Sequence, residues 1–396
     1  MEAATDPVGL PQITFSTVAT SSDTVTAAAS SIHVSDTMQQ TLKSLPQKLI
    51  VLDSYSRPYA VPMTNFVRAD LKKDSLKRSF RSFIAQDETK VESSDLLSFA
   101  FSEAPVDKKD SNMGSVSMMM RPNKNMKVRF GFTQDTTSFG GTYAQRSIQN
   151  PFMNMRQAFG TDMDLKVSKN FSLTGGWYFG KNGFIDEDVF DKMSNKPNVQ
   201  LMEGGVAYQK DEKFGLQLSG GIMKEEDSVF GMRGSGAFNV KGAQTNFVRV
   251  VANYQPTDKL RFSAAYTYGM TEANRINSLL SFSKLSSDSF GMVSEYRPND
   301  KQLFGLKFIS PLRVRSGKAR FNLPVARDLY EDKIYRETYS SGLKPSAREY
   351  DLSVFFADEI SSNLSFAGET GVRLNPEHQK DADVDYRALF KLNWKW

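Results

Sequence analysis

From Val128 to the C-terminus, apolar residues recur at every second position, in runs joined alternately by short turns and long connections. Val128, Phe130 and Phe132 begin the series, and Met163, Leu165 and Val167 follow, then Phe171, Leu173, Trp177 and Phe179. The alternation returns at Phe214, Leu216, Leu218 and Ile222, at Leu260, Phe262, Ala264, Tyr266 and Tyr268, and at Phe304, Leu306 and Phe308. It continues through Tyr350, Leu352, Val354 and Phe356, then Leu364, Phe366, Val372 and Leu374. In the closing stretch DVDYRALFKLNWKW, Val384, Tyr386, Ala388, Phe390, Leu392, Trp394 and Trp396 share one face, and Asp385, Arg387, Leu389, Lys391, Asn393 and Lys395 the other. A period of two is the signature of strands. Soluble strands usually run about 5 or 6 residues, whereas a tilted strand crossing a bilayer needs roughly 9 to 11. The longer runs fit the bilayer.

Tight turns at SKN (168), KDEK (210), QPTDK (255), RPND (297) and ADEISSN (357) take turns with longer connections. Those lie at about 134–161, 180–198, 223–243, 270–287 and 310–347, with a shorter NPEHQKDA at 375. Short turns at one end and long loops at the other are the pattern of an outer-membrane barrel. Lipid cannot satisfy backbone N–H and C=O groups, so a spanning sheet must close on itself. Counting from Val128 predicts an all-β, antiparallel transmembrane β-barrel of about twelve strands with both ends on the periplasmic side. Tyr254, Tyr268, Tyr296, Trp394 and Trp396 would supply interfacial girdles. A soluble sandwich would alternate similarly but does not explain the loop lengths.

Composition agrees with this assignment. Mean hydropathy is −0.44, and no stretch approaches the roughly 18 apolar residues of a membrane helix; a barrel dilutes its hydropathy with lumen and loop residues. The 50 basic and 45 acidic residues are spread along the chain for a net charge of +5, with no block marking a nucleic-acid partner. Cysteine is absent, which excludes disulfides, thiolate metal sites and Cys nucleophiles. The start, MEAATDPVGLPQ, has neither a basic n-region nor an apolar h-region and reads as lacking a secretory signal.

Three divisions follow. Residues 1–47 form a Ser/Thr-rich linker, in which Met38, Leu42 and Leu45 stand at helical spacing behind caps at Ser35 and Asp36 and predict a short helix. Residues 48–124 carry short runs (KLIVLD, RPYAV, LLSFAF, GSVSMMM) and read as a small β-rich junction module. Residues 125–396 form the barrel.

Catalytic signatures are absent from the sequence. The only two histidines are His33, in the linker, and His378, in the NPEHQ loop. The glycine-bearing GMRGSGAF lacks the third glycine of a dinucleotide turn, and the acidic IDEDVFD run lacks EF-hand spacing. A rim-active hydrolase would have to draw on Asp162, Asp164, Asp288 and His378, whose convergence spacing does not establish. No cofactor, metal or catalytic residue is expected.

Several segments resemble the C-terminal region of alphaproteobacterial subtilisin-like (S8) autotransporter serine peptidases. These are VLDSYSRPYAV at 51, ISPLRVRSGKARFNLPVARD at 309 and LKPSAREYDLSVFF at 343, with the aromatic C-terminus. The family's "PLR…G" segment would be Pro311, Leu312, Arg313 and Gly317, and its "PS-x-RE" segment Pro345, Ser346, Arg348 and Glu349. Nothing matches the subtilisin catalytic segments. The resemblance implies the translocator and membrane anchor of a secreted N-terminal passenger. It also implies that Phe390, Leu392, Trp394 and Trp396 carry a signal for the barrel assembly machinery. Lumen-facing Lys166, Arg249, Arg261, Lys307, Asp351, Glu369, Arg373, Arg387 and Lys391 would wet the path past the linker helix. The expected partners are outer-membrane lipid, the assembly machinery and the passenger, and the alternatives are a diffusion porin without a passenger or the rim hydrolase.

Overall fold

The computed structural model describes residues 25–26, 45, 48–52, 58–62, 67–68, 89–92, 96–103, 113–135, 148–185, 195–211, 213–234, 238, 240–274, 279–361 and 364–394. It is all-β. Fifteen strands form one antiparallel sheet in which chain neighbours are sheet neighbours. They are β1 (Thr89–Glu92), β2 (Leu97–Glu103), β3 (Met113–Asn123), β4 (Met126–Asp135), β5 (Met155–Lys166), β6 (Phe171–Asn182), β7 (Asn198–Lys210) and β8 (Phe214–Glu226). Then come β9 (Gly242–Thr257), β10 (Leu260–Ala273), β11 (Leu285–Asn299), β12 (Gln302–Ser316), β13 (Tyr350–Ser361), β14 (Leu364–Leu374) and β15 (Asp385–Trp394). Among the described residues the edge strands β1 and β15 are not paired with each other.

From β3 onward each strand has 10 to 16 residues, long enough to cross a bilayer at a tilt. Several continue past the boundaries that sequence periodicity suggests. β9 starts at Gly242 and β12 runs to Ser316, because polar residues outside the lipid end the alternation without ending the hydrogen-bonded ladder.

The sheet also extends N-terminally of Val128, so it has fifteen strands where about twelve were expected. Three strands of the segment read as a junction module belong to it, LLSFAF and GSVSMMM supplying β2 and β3. Consecutive Met118, Met119 and Met120 put the same side chain on both faces, and buried Ser115 and Ser117 supply only small polar contrast. The period is therefore faint.

The alternation of connections holds: two residues separate β3 from β4 and β9 from β10, while 33 residues separate β12 from β13. That longest connection is itself structured. Lys318–Asp328 and Lys333–Gly342 pair as a hairpin, and Leu280–Phe282 adds a third strand. Residues from several long connections gather into an apolar cluster that includes Phe152, Phe184, Phe230, Phe238, Phe321 and Leu343.

Leu45 is buried in this cluster, and Tyr59, on the hairpin of Lys48–Leu52 with Pro58–Pro62, packs against it. Val25–Thr26 pairs with Arg233–Gly234 of the connection after β8. Met38 and Leu42, with the expected short helix, lie outside the described residues. Among those residues there is no α-helix, and Pro376–His378 form a 3-10 turn.

Candidate functional site

The two faces of the sheet differ chemically. One exposes apolar rows such as Leu216 and Leu218, Val248 and Val250, Phe304 and Leu306, and Leu352 and Val354. Toward the short turns that face carries Phe171 against Tyr208 (ring centroids 5.0 Å) and the exposed Tyr254 and Tyr296. Toward the long connections it carries Phe290, Phe308 and Tyr350 in mutual contact. Apolar band and aromatic rows together match a lipid-facing surface.

The opposite face is polar, and alternation places all nine of Lys166, Arg249, Arg261, Lys307, Asp351, Glu369, Arg373, Arg387 and Lys391 on it. Four converge. Glu369 Oε1 accepts from Lys307 Nζ at 2.8 Å and from Arg387 Nη2 at 2.7 Å, and Arg387 also grips Asp351 through both terminal nitrogens at 2.7 and 2.8 Å. All four side chains are largely buried. Opposed charges at this depth are tolerable because each carboxylate in the knot meets a cation donor.

Arg373 pairs instead with Glu349 at 3.2 Å. Arg261 donates to Gln255 near the short turns, where Gln217, Asn253 and Lys213 help line a cavity of about 280 Å³. Lys166 is exposed at the short-turn end of β5. Lys391 stands opposite Ala367 in the ladder.

A further feature of the polar face comes from a connection. Residues 148–154, just before β5, fold across the sheet. Arg249 Nη2 donates to the Ile148 carbonyl at 2.8 Å, and Asn150 Nδ2 donates to Glu203 Oε2 at 3.0 Å. Asn150 Oδ1 accepts from Phe152 N and its carbonyl from Met153 N, which turns the segment. Two glycines make room. A β-carbon at Gly269 would lie 2.4 Å from the Phe152 ring, and one at Gly291 would lie 2.8 Å from Ile148 Cγ2. Phe152 stacks on Phe247 at 5.2 Å, while Ile148 clusters with Val293 and Phe355. The segment thus touches β7, β9, β10, β11 and β13.

Two further knots hold the long-connection end. Glu225, fully buried at the end of β8, accepts from Asn182 Nδ2 (2.9 Å), Ser228 Oγ (3.1 Å), Phe230 N (2.8 Å) and Gly231 N (3.1 Å). Gly231 has φ +76°, and a β-carbon there would meet the Phe184 carbonyl at 2.5 Å, so only glycine fits the loop closed on Glu225.

His378 Nδ1 accepts from Glu349 N at 2.8 Å. Its Nε2, 3.2 Å from the Leu312 carbonyl, therefore carries the proton. Burial, with Arg313 and Arg348 nearby, pushes this imidazole down to about 4. Both ring nitrogens are thus committed to backbone groups. Asp162 pairs with Arg129 on β5 and β4, whereas Asp288 pairs with Arg348 at β11 and the start of β13. The residues a rim hydrolase would use do not converge.

At the C-terminal strand, Phe390 and Leu392 are exposed on the apolar face. Trp394 holds its place in the ladder opposite Leu364, and Trp396 lies outside the described residues.

Periodicity did not single out Asn150, Glu203 or Glu225. An acidic residue inside the otherwise apolar and small LMEGGVAY run was the available signal for Glu203.

Residues 147–306 match the model of BBP2, the OmpL-like β-barrel porin-2 family. The match starts at the in-folded segment and ends within β12. No curated protein matches the chain.

Among solved structures, OmpT, an outer-membrane protein of Vibrio cholerae, is similar at 12% identity and a TM-score of 0.40, over 78% of this chain and 88% of its own. OprB of Pseudomonas putida is similar at 11% identity and 0.39, over 75% and 82%. Similarities this weak lend no weight to the reading.

The family match corrects the expectation of an S8 autotransporter translocator: the matching model is of porin type, and nothing indicates a translocator or a peptidase. Two of the segments that suggested it, PLR and PS-x-RE, are neighbours in space, since Arg313 Nη2 donates to the Pro345 carbonyl at 3.1 Å and His378 bridges Leu312 to Glu349. Their paired appearance has a packing explanation without a passenger. The chain is a porin-like β protein of the bacterial outer membrane.

Proposed function

We propose that the chain is a diffusion channel of the outer membrane, in which the sheet closes into a barrel and the polar face lines a water-filled lumen. Closure would remove the free edges of β1 and β15, which lipid cannot tolerate. The observation that carries the reading is the segment 148–154 laid across the polar face, which narrows the interior without adding a reactive constellation. Charges of both signs border it, Arg249 and Glu203 at the segment and the Lys307–Glu369–Arg387–Asp351 knot on the wall. Such a lining favours small hydrated solutes over apolar ones. The nine polar-face charges would then wet the lumen. Phe390, Leu392, Trp394 and Trp396 would serve as lipid anchors and as the strand offered to the assembly machinery.

The test is conductance in planar bilayers together with sugar-driven swelling of liposomes. Stepwise ion currents and swelling are expected. Protein that is folded, judged by a heat-dependent shift in electrophoretic mobility, yet neither conducts nor admits sugars overturns the reading.

A further inference from the structure

Where the apolar face meets the long connections, arginines gather on the outside of the sheet. Asp288 stands opposite Tyr268 in one ladder and opposite Arg313 in the other. It shares its face with Phe290 and the exposed Met292, two and four residues along the same strand. Arg348 Nη2 reaches Asp288 Oδ1 at 2.5 Å, its Nη1 donates to Ser310 Oγ at 3.1 Å, and its guanidinium lies 5.5 Å over the Phe290 ring. Arg315 Nε is 3.8 Å from Asp288 Oδ2, with a side chain 53% exposed. Arg313 spends Nη2 on the Pro345 carbonyl, and its buried Nε has no hydrogen-bond partner among the described residues. Two guanidiniums therefore share one carboxylate and that of Arg313 belongs to the residue opposite it in the ladder, next to the aromatic row of Phe290, Phe308 and Tyr350.

In a barrel with long loops outside, aromatic rows mark the membrane–water boundary, and cations just beyond them stand at headgroup level. We propose that Arg313, Arg315 and Arg348 form a binding site for a phosphate group of an outer-leaflet lipid. Guanidinium forks match phosphate oxygens in pairs. A phosphate monoester carries about −1.5 to −2 charges at neutral pH, which offsets the surplus of three cations over Asp288. The aromatic row beneath fits the boundary between headgroup and acyl chains, and that position distinguishes a membrane lipid from free phosphate. The inference rests on the orientation of the barrel and not on what passes through it.

Full-length protein in phosphatidylcholine nanodiscs would be titrated with bis-phosphorylated lipid A, with the same lipid stripped of both phosphates, and with inorganic phosphate, bound molecules being counted by native mass spectrometry. The phosphorylated lipid should bind about 10- to 30-fold more tightly than the stripped one, and R313Q/R315Q should abolish that preference. Arg348 is left in place because it also holds the fold together. Equal binding of the two lipids by the unaltered protein overturns the inference, as does an undiminished preference in the folded double variant. Inorganic phosphate binding as tightly as the lipid overturns the lipid assignment. Bilayer conductance is read separately: protein that conducts without discriminating the lipids sinks this inference alone, and protein that discriminates without conducting sinks only the channel reading.

Discussion

Asn150 Nδ2 donates to Glu203 Oε2 at 3.0 Å, tying the segment before β5 to the wall at β7 across 53 residues of sequence. A hydrogen bond to a charged acceptor is worth about 1.5–3 kcal/mol. Glu203→Ala should therefore detach the segment roughly 10 to 100 times more often. The expected outcome is a higher mean conductance with noisier open-channel current. An unchanged trace would mean that residues 148–154 do not narrow the path.

Arg387 serves two buried carboxylates at once, so its loss takes both donors from Asp351 and leaves Glu369 to Lys307. Arg387→Ala should cost about 3–5 kcal/mol, the range for breaking a buried ion pair from one side. Replacing Lys307 by Met together with Glu369 by Leu removes one cation and one anion and leaves the Arg387–Asp351 pair whole. That double variant should be less damaging than Arg387→Ala. Urea unfolding in detergent, followed by tryptophan fluorescence, ranks the three proteins.

His378 makes stability depend on pH in a definite direction. Its folded value, about 4, lies below the ordinary 6.5, so the unfolded chain binds more protons between those values. The stabilisation is fully present above about pH 6.5 and is lost as pH falls toward 4, amounting to about 3 kcal/mol over that window. His378→Gln should remove this part of the pH dependence while retaining a donor toward the Leu312 carbonyl. Unfolding midpoints of the two proteins at pH 4 and pH 7 measure the difference.

Glu225 closes the connection after β8 by accepting four hydrogen bonds, two of them from backbone N–H groups. Glu225→Ala leaves those donors unsatisfied, at about 1–3 kcal/mol each. The loop should open while the sheet stays intact. Trypsin added to folded protein should then cut after Arg233 or Lys241 at least tenfold faster than in the parent. Equal cleavage rates would show that the loop is held by its apolar contacts instead.

Much of the sheet was legible beforehand because lipid acts on each residue separately. A side chain facing lipid must be apolar whatever its neighbours are, so the requirement is written at every second position, as in Phe304–Leu306–Phe308. Where both faces carry similar residues, as at Met118–Met120, the signal vanishes and the first strands read as something else. The PLR and PS-x-RE segments show the opposite failure. They were read as the mark of a passenger family, yet they stand together because Arg313 and His378 tie them to one another in the fold.

Sequence alone determined the period of the strands, the identity of the apolar and polar faces, and the end of the sheet that bears the long connections. Each of these follows from local alternation and turn chemistry. Only the tertiary structure decided that residues 148–154 lie across the polar face and that Lys307, Glu369, Arg387 and Asp351 share one knot. It alone revealed that Arg315 and Arg348 pair with a single aspartate beside the aromatic row, with Arg313 opposite it in the ladder. These arrangements join residues tens of positions apart through charge and shape, and such pairings leave no periodic trace in the chain.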